Sequence, residues 1–169
     1  MKLNRILVTH GHHDHFGGLY DVLQLLKSRN QEAKAYKMMT GNRYELSVFQ
    51  QYPELKNIVE PLSDNQEFQI DDDLHLRAIY TPGHLDDHMS FYLTTPSERV
   101  LITGDIILGS PSAVVEDLDT YLKTLRKLQK MKIDYLLLPH SLDKTDPSGI
   151  MVSAEPKIGD YIKYREDRL

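Results

Sequence analysis

Apolar positions fall into short runs separated by stretches of helical spacing. Residues 4–9 spell a strand around Ile6–Val8. Residues 18–29 spell a helix, with Leu19, Val22, Leu23 and Leu26 on one stripe. Ala33 to Met38 is a short extended piece. The stretch 40–65 is polar, punctuated by Pro53 and Pro61, and shows no clear period. Phe68–Ile70 predicts a strand. Leu74, Leu76, Ala78 and Tyr80 alternate with His75, Arg77 and Ile79, which predicts another. Between them Asp71-Asp72-Asp73 suits a solvated turn, since the regular spacing of a calcium loop is absent. Met89–Leu93 and Val100–Thr103 are two further strands around a polar turn at Pro96. Asp117 can cap a helix running to about Met131, with Leu118, Tyr121, Leu122, Leu125 and Leu128 at helical spacing. Its other face carries Lys123, Arg126, Lys127 and Lys130, a solvated face or a surface able to touch RNA. Ile133–Leu138 is an apolar strand ending in Pro139-His140, and a last helix starts near Ala154 and runs to Leu169. The order of elements predicts an α/β chain with mixed sheets.

The polar residues at the strand ends change the picture. The first strand runs directly into His10, His12, His13, Asp14 and His15, and Gly17-Gly18 then opens the helix. His10 and His12, two apart, can point the same way, while Asp14 and His15 beyond the bend can face a second point. The same pattern of apolar strand and then ligand recurs at His84, Asp105 and His140. In α/β folds functional groups collect outside the carboxyl ends of strands. Converging there, His10, His12, Asp14, His15, His84, Asp105 and His140 suit two metal ions, and Asp105, with two oxygens, could bridge them. Two ions about 3.5–4 Å apart make a hydrolytic site that activates water and clamps a leaving oxygen. The bland alternative is a surface histidine cluster that binds metal by accident. His13 is expected to point away from the metals and His75 to be structural.

Composition sets bounds. The chain has 169 residues, which predicts one domain over 1–169, and is 40% apolar and 27% charged. No apolar run approaches the length of a membrane span. The start, Met-Lys-Leu-Asn-Arg, lacks the apolar core of a signal peptide. There is no cysteine, so any metal site uses His, Asp and Glu, and a reducing compartment, cytoplasm or mitochondrial matrix, is expected. The net charge of −5 and pI near 5.9 argue against a general nucleic-acid coat. They leave room for a local site where dications supply the positive charge.

The set His10-x-His12-x-Asp14-His15, His84 in Thr-Pro-Gly-His, Asp105 in Thr-Gly-Asp, and His140 resembles the metallo-β-lactamase superfamily across nearly the whole chain. The resemblance implies an αββα sandwich with a dinuclear zinc site. His10, His12 and His84 would hold one zinc, Asp14, His15 and His140 the other, and Asp105 would bridge. Within the superfamily, Thr81-Pro-Gly-His-Leu-Asp-Asp-His-Met89, Gly104-Asp-Ile-Ile-Leu-Gly109 and Val115-Glu-Asp-Leu118 are similar to the lactamase-beta-2-like endoribonucleases. Glyoxalase II-like thioesterases share the zinc motif but usually lack the Asp-Asp-His-Met element.

That branch implies a zinc-dependent hydrolase cutting phosphodiester bonds of single-stranded RNA. Asp14 would orient the attacking water, and His88 would support the site or donate a proton. A thioesterase and a non-catalytic, truncated metal-binding form are the alternatives. Two departures are expected to matter. The first motif starts near residue 10, so part of the N-terminal sheet is expected to be missing, as is the C-terminal winged-helix-like domain of such proteins, an expectation of truncation at both ends. The usual Pro-Gly-His-Gly is replaced by Pro139-His140-Ser141, which changes the loop that delivers His140.

Overall fold

The computed structural model describes residues 3–109, 113–140 and 151–167. They fall into two compact units, Met1–Ser63 and Asp64–Leu169.

The first unit is a parallel three-stranded sheet in the order β1-β2-β3: β1 (Arg5–Leu7), β2 (Lys34–Lys37) and β3 (Val59–Pro61). Parallel neighbours need crossovers, and helices supply them. The short α1 (His13–Phe16) and α2 (Leu19–Ser28) join β1 to β2. Helix α3 (Arg43–Gln51) and a 3-10 turn at Pro53–Asn57 join β2 to β3. Leu19 and Leu26 of α2 are buried with Phe16, Ala35, Val48, Phe49, Leu55 and Val59. Val22, expected on the buried stripe, is 41% exposed, so the covered face of α2 is narrower than its apolar pattern.

Helix α3 and β3 lie in the stretch that showed no period. Asn42 caps α3, accepting from the N–H groups of Tyr44 (3.1 Å) and Glu45 (3.0 Å). Glu45 is itself buried. It accepts from Lys37 Nζ at 2.5 Å and from Gly41 N–H at 3.0 Å. Lys37, wholly buried at the end of β2, also donates to Met38 O at 2.8 Å. This ion pair holds the 38–42 loop at the carboxyl edge of the sheet, where β1 also ends.

The second unit is a six-stranded sheet ordered β4-β5-β6-β7-β8-β9. Strands β4 (Glu67–Asp71), β5 (Leu74–Tyr80), β6 (Met89–Thr94) and β7 (Arg99–Ile102) form an antiparallel meander, with the acidic turn at 71–73 closing the first hairpin. Helix α4 (Leu118–Gln129) then crosses over, and β8 (Tyr135–Leu137) runs parallel to β7. Strand β9 (Met151–Ser153) adds antiparallel and leads directly into α5 (Ala154–Glu166). The core packs Tyr121, Leu125 and Leu128 of α4 and Ile158 and Tyr161 of α5 with Leu101, Ile106 and Leu136. Tyr161 bonds both the N–H (2.8 Å) and the carbonyl (2.9 Å) of Leu108, and burial pushes its phenol up to about 12. Arg126, expected on a solvated face, pairs with Glu166 of α5. No helix among the described residues is long and apolar enough to cross a membrane.

Removing one partner of a buried ion pair strands the other charge, so Glu45→Leu is expected to cost about 3–5 kcal/mol in chemical denaturation. The double variant Lys37→Met/Glu45→Leu is expected to regain most of that loss. A double variant no better than the single one would mean that the pair is not the source of the effect.

Candidate metal centre

In the first unit, pairing continues one residue past β1, where Val8 N–H donates to Tyr36 O at 2.9 Å. The chain then turns at His12, which starts α1. The His12 carbonyl accepts from His15 N–H (3.0 Å) and Phe16 N–H (2.9 Å), and this winds Asp14 and His15 back beside His10. Phe16, wholly buried, anchors the turn edge-on against Phe49, with ring centroids 5.5 Å apart.

Three imidazoles converge on this loop. His10 Nε2 lies 2.9 Å from His12 Nδ1, and the His10 and His15 rings are 4.1 Å apart. Thr9 Oγ1 lies 3.0 Å from His10 Nδ1 and 3.3 Å from His15 Nδ1. One hydroxyl thus orients two rings. His12 meets the Tyr44 ring edge-on at 4.5 Å. Asp14 is the most open of the group, its side chain 63% exposed, with Oδ2 3.6 Å from His15 Nε2. His13 is exposed.

In the second unit, α4 grips the loop that follows β5 by its carbonyls. Lys127 Nζ donates to Tyr80 O (2.9 Å) and Thr124 Oγ1 to Pro82 O (2.7 Å). The N–H groups of Glu116 (3.0 Å) and Asp117 (3.1 Å) donate to Gly83 O. Lys127 is exposed, as the solvated stripe predicts, and also ties down this loop. Asp117 caps α4 through Thr120, and those hydrogen bonds hold its carboxyl below the usual carboxylate range. Gly83 adopts φ +124°. A Cβ there would collide with the main-chain N and Cα of Tyr121.

This grip sets His84. Its Nδ1 donates to Val114 O at 2.6 Å, and because a carbonyl only accepts, Nδ1 carries a proton, so in the neutral ring Nε2 is the nitrogen with a lone pair. That nitrogen lies 3.8 Å from Asp105 Oδ2. On the other side, Asp105 Oδ1 lies 3.4 Å from His140 Nε2. The His140 side chain is half exposed. Its ring reaches Asp105 without the usual glycine, and Ser141 lies outside the described residues.

A carboxylate and an imidazole lone pair converge when a proton or a cation sits between them. Nitrogen and oxygen donors in this arrangement suit zinc. The donor chemistry therefore fits a metal, and one oxygen of Asp105 facing each imidazole matches a bridging ligand. All seven sequence-predicted ligands belong to His/Asp groups that could hold a metal ion.

His88 sits wholly buried just before β6, with both ring nitrogens engaged. His75 lies on β5, paired in register with Thr94. Sequence reasoning assigned no role to Tyr44, Thr81, Ser90 or Thr124. Thr81 stood inside a quoted motif, and Asn42-x-x-Glu45 is a helix-start signal that would have placed Tyr44 in the first turn of α3.

The family model of the metallo-beta-lactamase superfamily matches residues 1–140. The chain belongs to this superfamily. It is 33% identical over 169 residues to the beta-lactamase-like protein 2 homolog of Drosophila melanogaster, covering 99% of this chain and 52% of that protein. It is 33% identical over 132 residues to the atrochrysone carboxyl ACP thioesterase of Aspergillus fumigatus, covering 78% of this chain and 27% of the relative. The chain thus spans about half or less of these curated relatives. In fold it is similar to a beta-lactamase domain protein from Burkholderia ambifaria. The TM-score is 0.79 at 18% identity, covering 99% of this chain and 57% of that one. The expected α/β class and superfamily fold are thus found.

Gly83→Ala combines a strained φ with a main-chain collision, and is expected to cost at least about 3 kcal/mol in thermal or chemical unfolding. Trimming the Tyr121 side chain in a Gly83→Ala/Tyr121→Ala double variant is expected to restore nothing, since the obstructing atoms include backbone. Recovery on trimming would place the obstruction in the phenol instead.

Proposed function

We propose that the two ligand sets serve one dinuclear zinc centre of a hydrolase acting on phosphodiester bonds of single-stranded RNA. The observation that carries the metal reading is Asp105, whose two carboxylate oxygens face His84 and His140 separately. In this reading His10, His12 and His84 would hold one ion, Asp14, His15 and His140 the other, and Asp105 would be shared by both. Bound zinc supplies the Lewis acidity that activates water and neutralises phosphate charge.

The remaining work falls to the chain's own residues. Asp14, open to solvent beside His15, accepts a hydrogen bond from the attacking water and aims it. Val114 O and Thr9 Oγ1 hold imidazole rings in place, so that the donors are arranged before substrate arrives. The RNA reading is supported by the Asp86-Asp87-His88-Met89 element and by the match to the Drosophila beta-lactamase-like protein 2 homolog over 99% of this chain.

A thioesterase is the second reading, and the Aspergillus fumigatus ACP thioesterase favours it. The two separate on product. RNA cleavage releases shorter strands, and thioester hydrolysis releases free thiol.

With zinc added, the chain is expected to shorten a labelled single-stranded RNA and to leave acyl-thioesters intact. An Asp14→Ala/His15→Ala variant is expected to lose at least about 100-fold in cleavage, as the loss of a catalytic ion and its water-orienting carboxylate requires. Normal cleavage by that variant would assign the activity to something else. Thiol release without RNA shortening would replace this reading with the thioesterase one.

A further inference from the structure

We propose that His88 is a positioning residue that holds Asp105 through a hydrogen-bond relay of fixed direction, and is not a proton donor to substrate. The relay runs Asp105 N–H to His88 Nε2 (3.0 Å), His88 Nδ1 to Thr81 Oγ1 (2.8 Å), Thr81 Oγ1 to Ser90 Oγ (3.0 Å), and Ser90 Oγ to Thr103 O (2.9 Å). His88, Thr81, Ser90 and Thr103 are each 0% exposed. The links tie the residue after β5, the residue before β6, Ser90 within β6 and the residue after β7.

The two ends fix the direction. A backbone N–H only donates, so His88 Nε2 accepts. A backbone carbonyl only accepts, so Ser90 gives its single hydroxyl proton to Thr103 O. Ser90 then has none for Thr81, and Thr81 must donate to Ser90. Thr81 in turn takes its hydrogen bond from His88, whose proton therefore sits on Nδ1. This assigns a neutral His88 ring with one tautomer, and leaves Nε2 no proton to give.

The relay has a local purpose. Asp105 lies in a 3-10 turn, Gly104–Ile106, whose N-cap residue Thr103 makes no side-chain capping bond. Thr103 Oγ1 instead donates its one proton to the Ile107 carbonyl at 2.9 Å, the shorter of two carbonyl contacts, with Leu137 O at 3.2 Å. The first N–H groups of a helical turn lack partners within it. His88, arriving from the neighbouring strand, supplies the acceptor that Thr103 does not. The backbone that aims the Asp105 carboxylate is thereby pinned to the buried strand ends.

The tautomer stands on the relay alone, whereas the consequence for metal rests on the functional reading above. The first test is long-range proton–nitrogen correlation on the nitrogen-15-labelled full chain without metal at neutral pH, with the His88 signals assigned by their loss in His88→Gln. Protonated Nδ1 and bare Nε2 are expected. A ring protonated on Nε2 would overturn the proposal.

The second test titrates zinc against a competing chelator into His88→Gln and His88→Leu, with unfolding followed on both. Gln can still accept from Asp105 N–H and is expected to bind zinc within about threefold of the unsubstituted chain. Leu cannot, and is expected to bind at least about tenfold more weakly, the scale seen when a partner orienting a metal ligand is removed. Unchanged zinc affinity in His88→Leu with turnover lost in both variants would overturn the proposal in favour of proton donation. If the unsubstituted chain takes up no zinc, the metal reading fails, and the tautomer alone decides the relay.

Discussion

A carboxylate taken out of water needs donors or positive charge around it. Asp105 is 8% exposed, and its oxygens face two imidazoles, one of which presents a lone pair. Much of the second unit's local construction holds this arrangement in place. Helix α4 grips the loop that carries His84, and Gly83 lets that loop lie against the helix backbone. Val114 O fixes the tautomer of His84. Thr103 ties the Asp105 turn to β8, and the buried polar relay pins the Asp105 N–H. Polar chains of this kind are costly when incomplete and rigid when satisfied. The second unit therefore commits buried hydrogen bonds to hold one side chain still.

The first unit holds its candidate ligands differently. They hang on a single turn at the carboxyl edge of a parallel sheet. The His12 carbonyl and the Phe16 anchor set the turn. A buried Lys37–Glu45 pair fixes the loop beside it, and Tyr44 at the start of α3 meets the His12 ring. Each unit thus carries its candidate ligands at strand ends, where loop geometry can be adjusted without disturbing the sheet.

The candidate ligand positions stand out in the sequence because the signal is local: an apolar run, then His or Asp. Strand β5 matches its expected bounds, and Asp117 caps α4 as expected. What escaped was non-local. Helix α3 buries Glu45 against Lys37, so its inner face does not read as apolar. Val22 looked like core until α2 turned out to cover a narrower face. Lys127 is exposed as expected, and its tie to a loop carbonyl is a contact the sequence does not show. Thr81 and Ser90 are small hydroxyls that take on meaning only when three strand ends come together. Strand β9 was missed because it is three residues long and its outer positions are exposed.

Metal content of the purified 169-residue chain is the most direct measure of the central claim. Loaded with zinc, dialysed and assayed for metal per chain, it is predicted to hold two ions, with a His84→Ala/Asp105→Ala variant holding fewer. A chain that retains no zinc, or a variant that retains as much as the parent, would contradict the account.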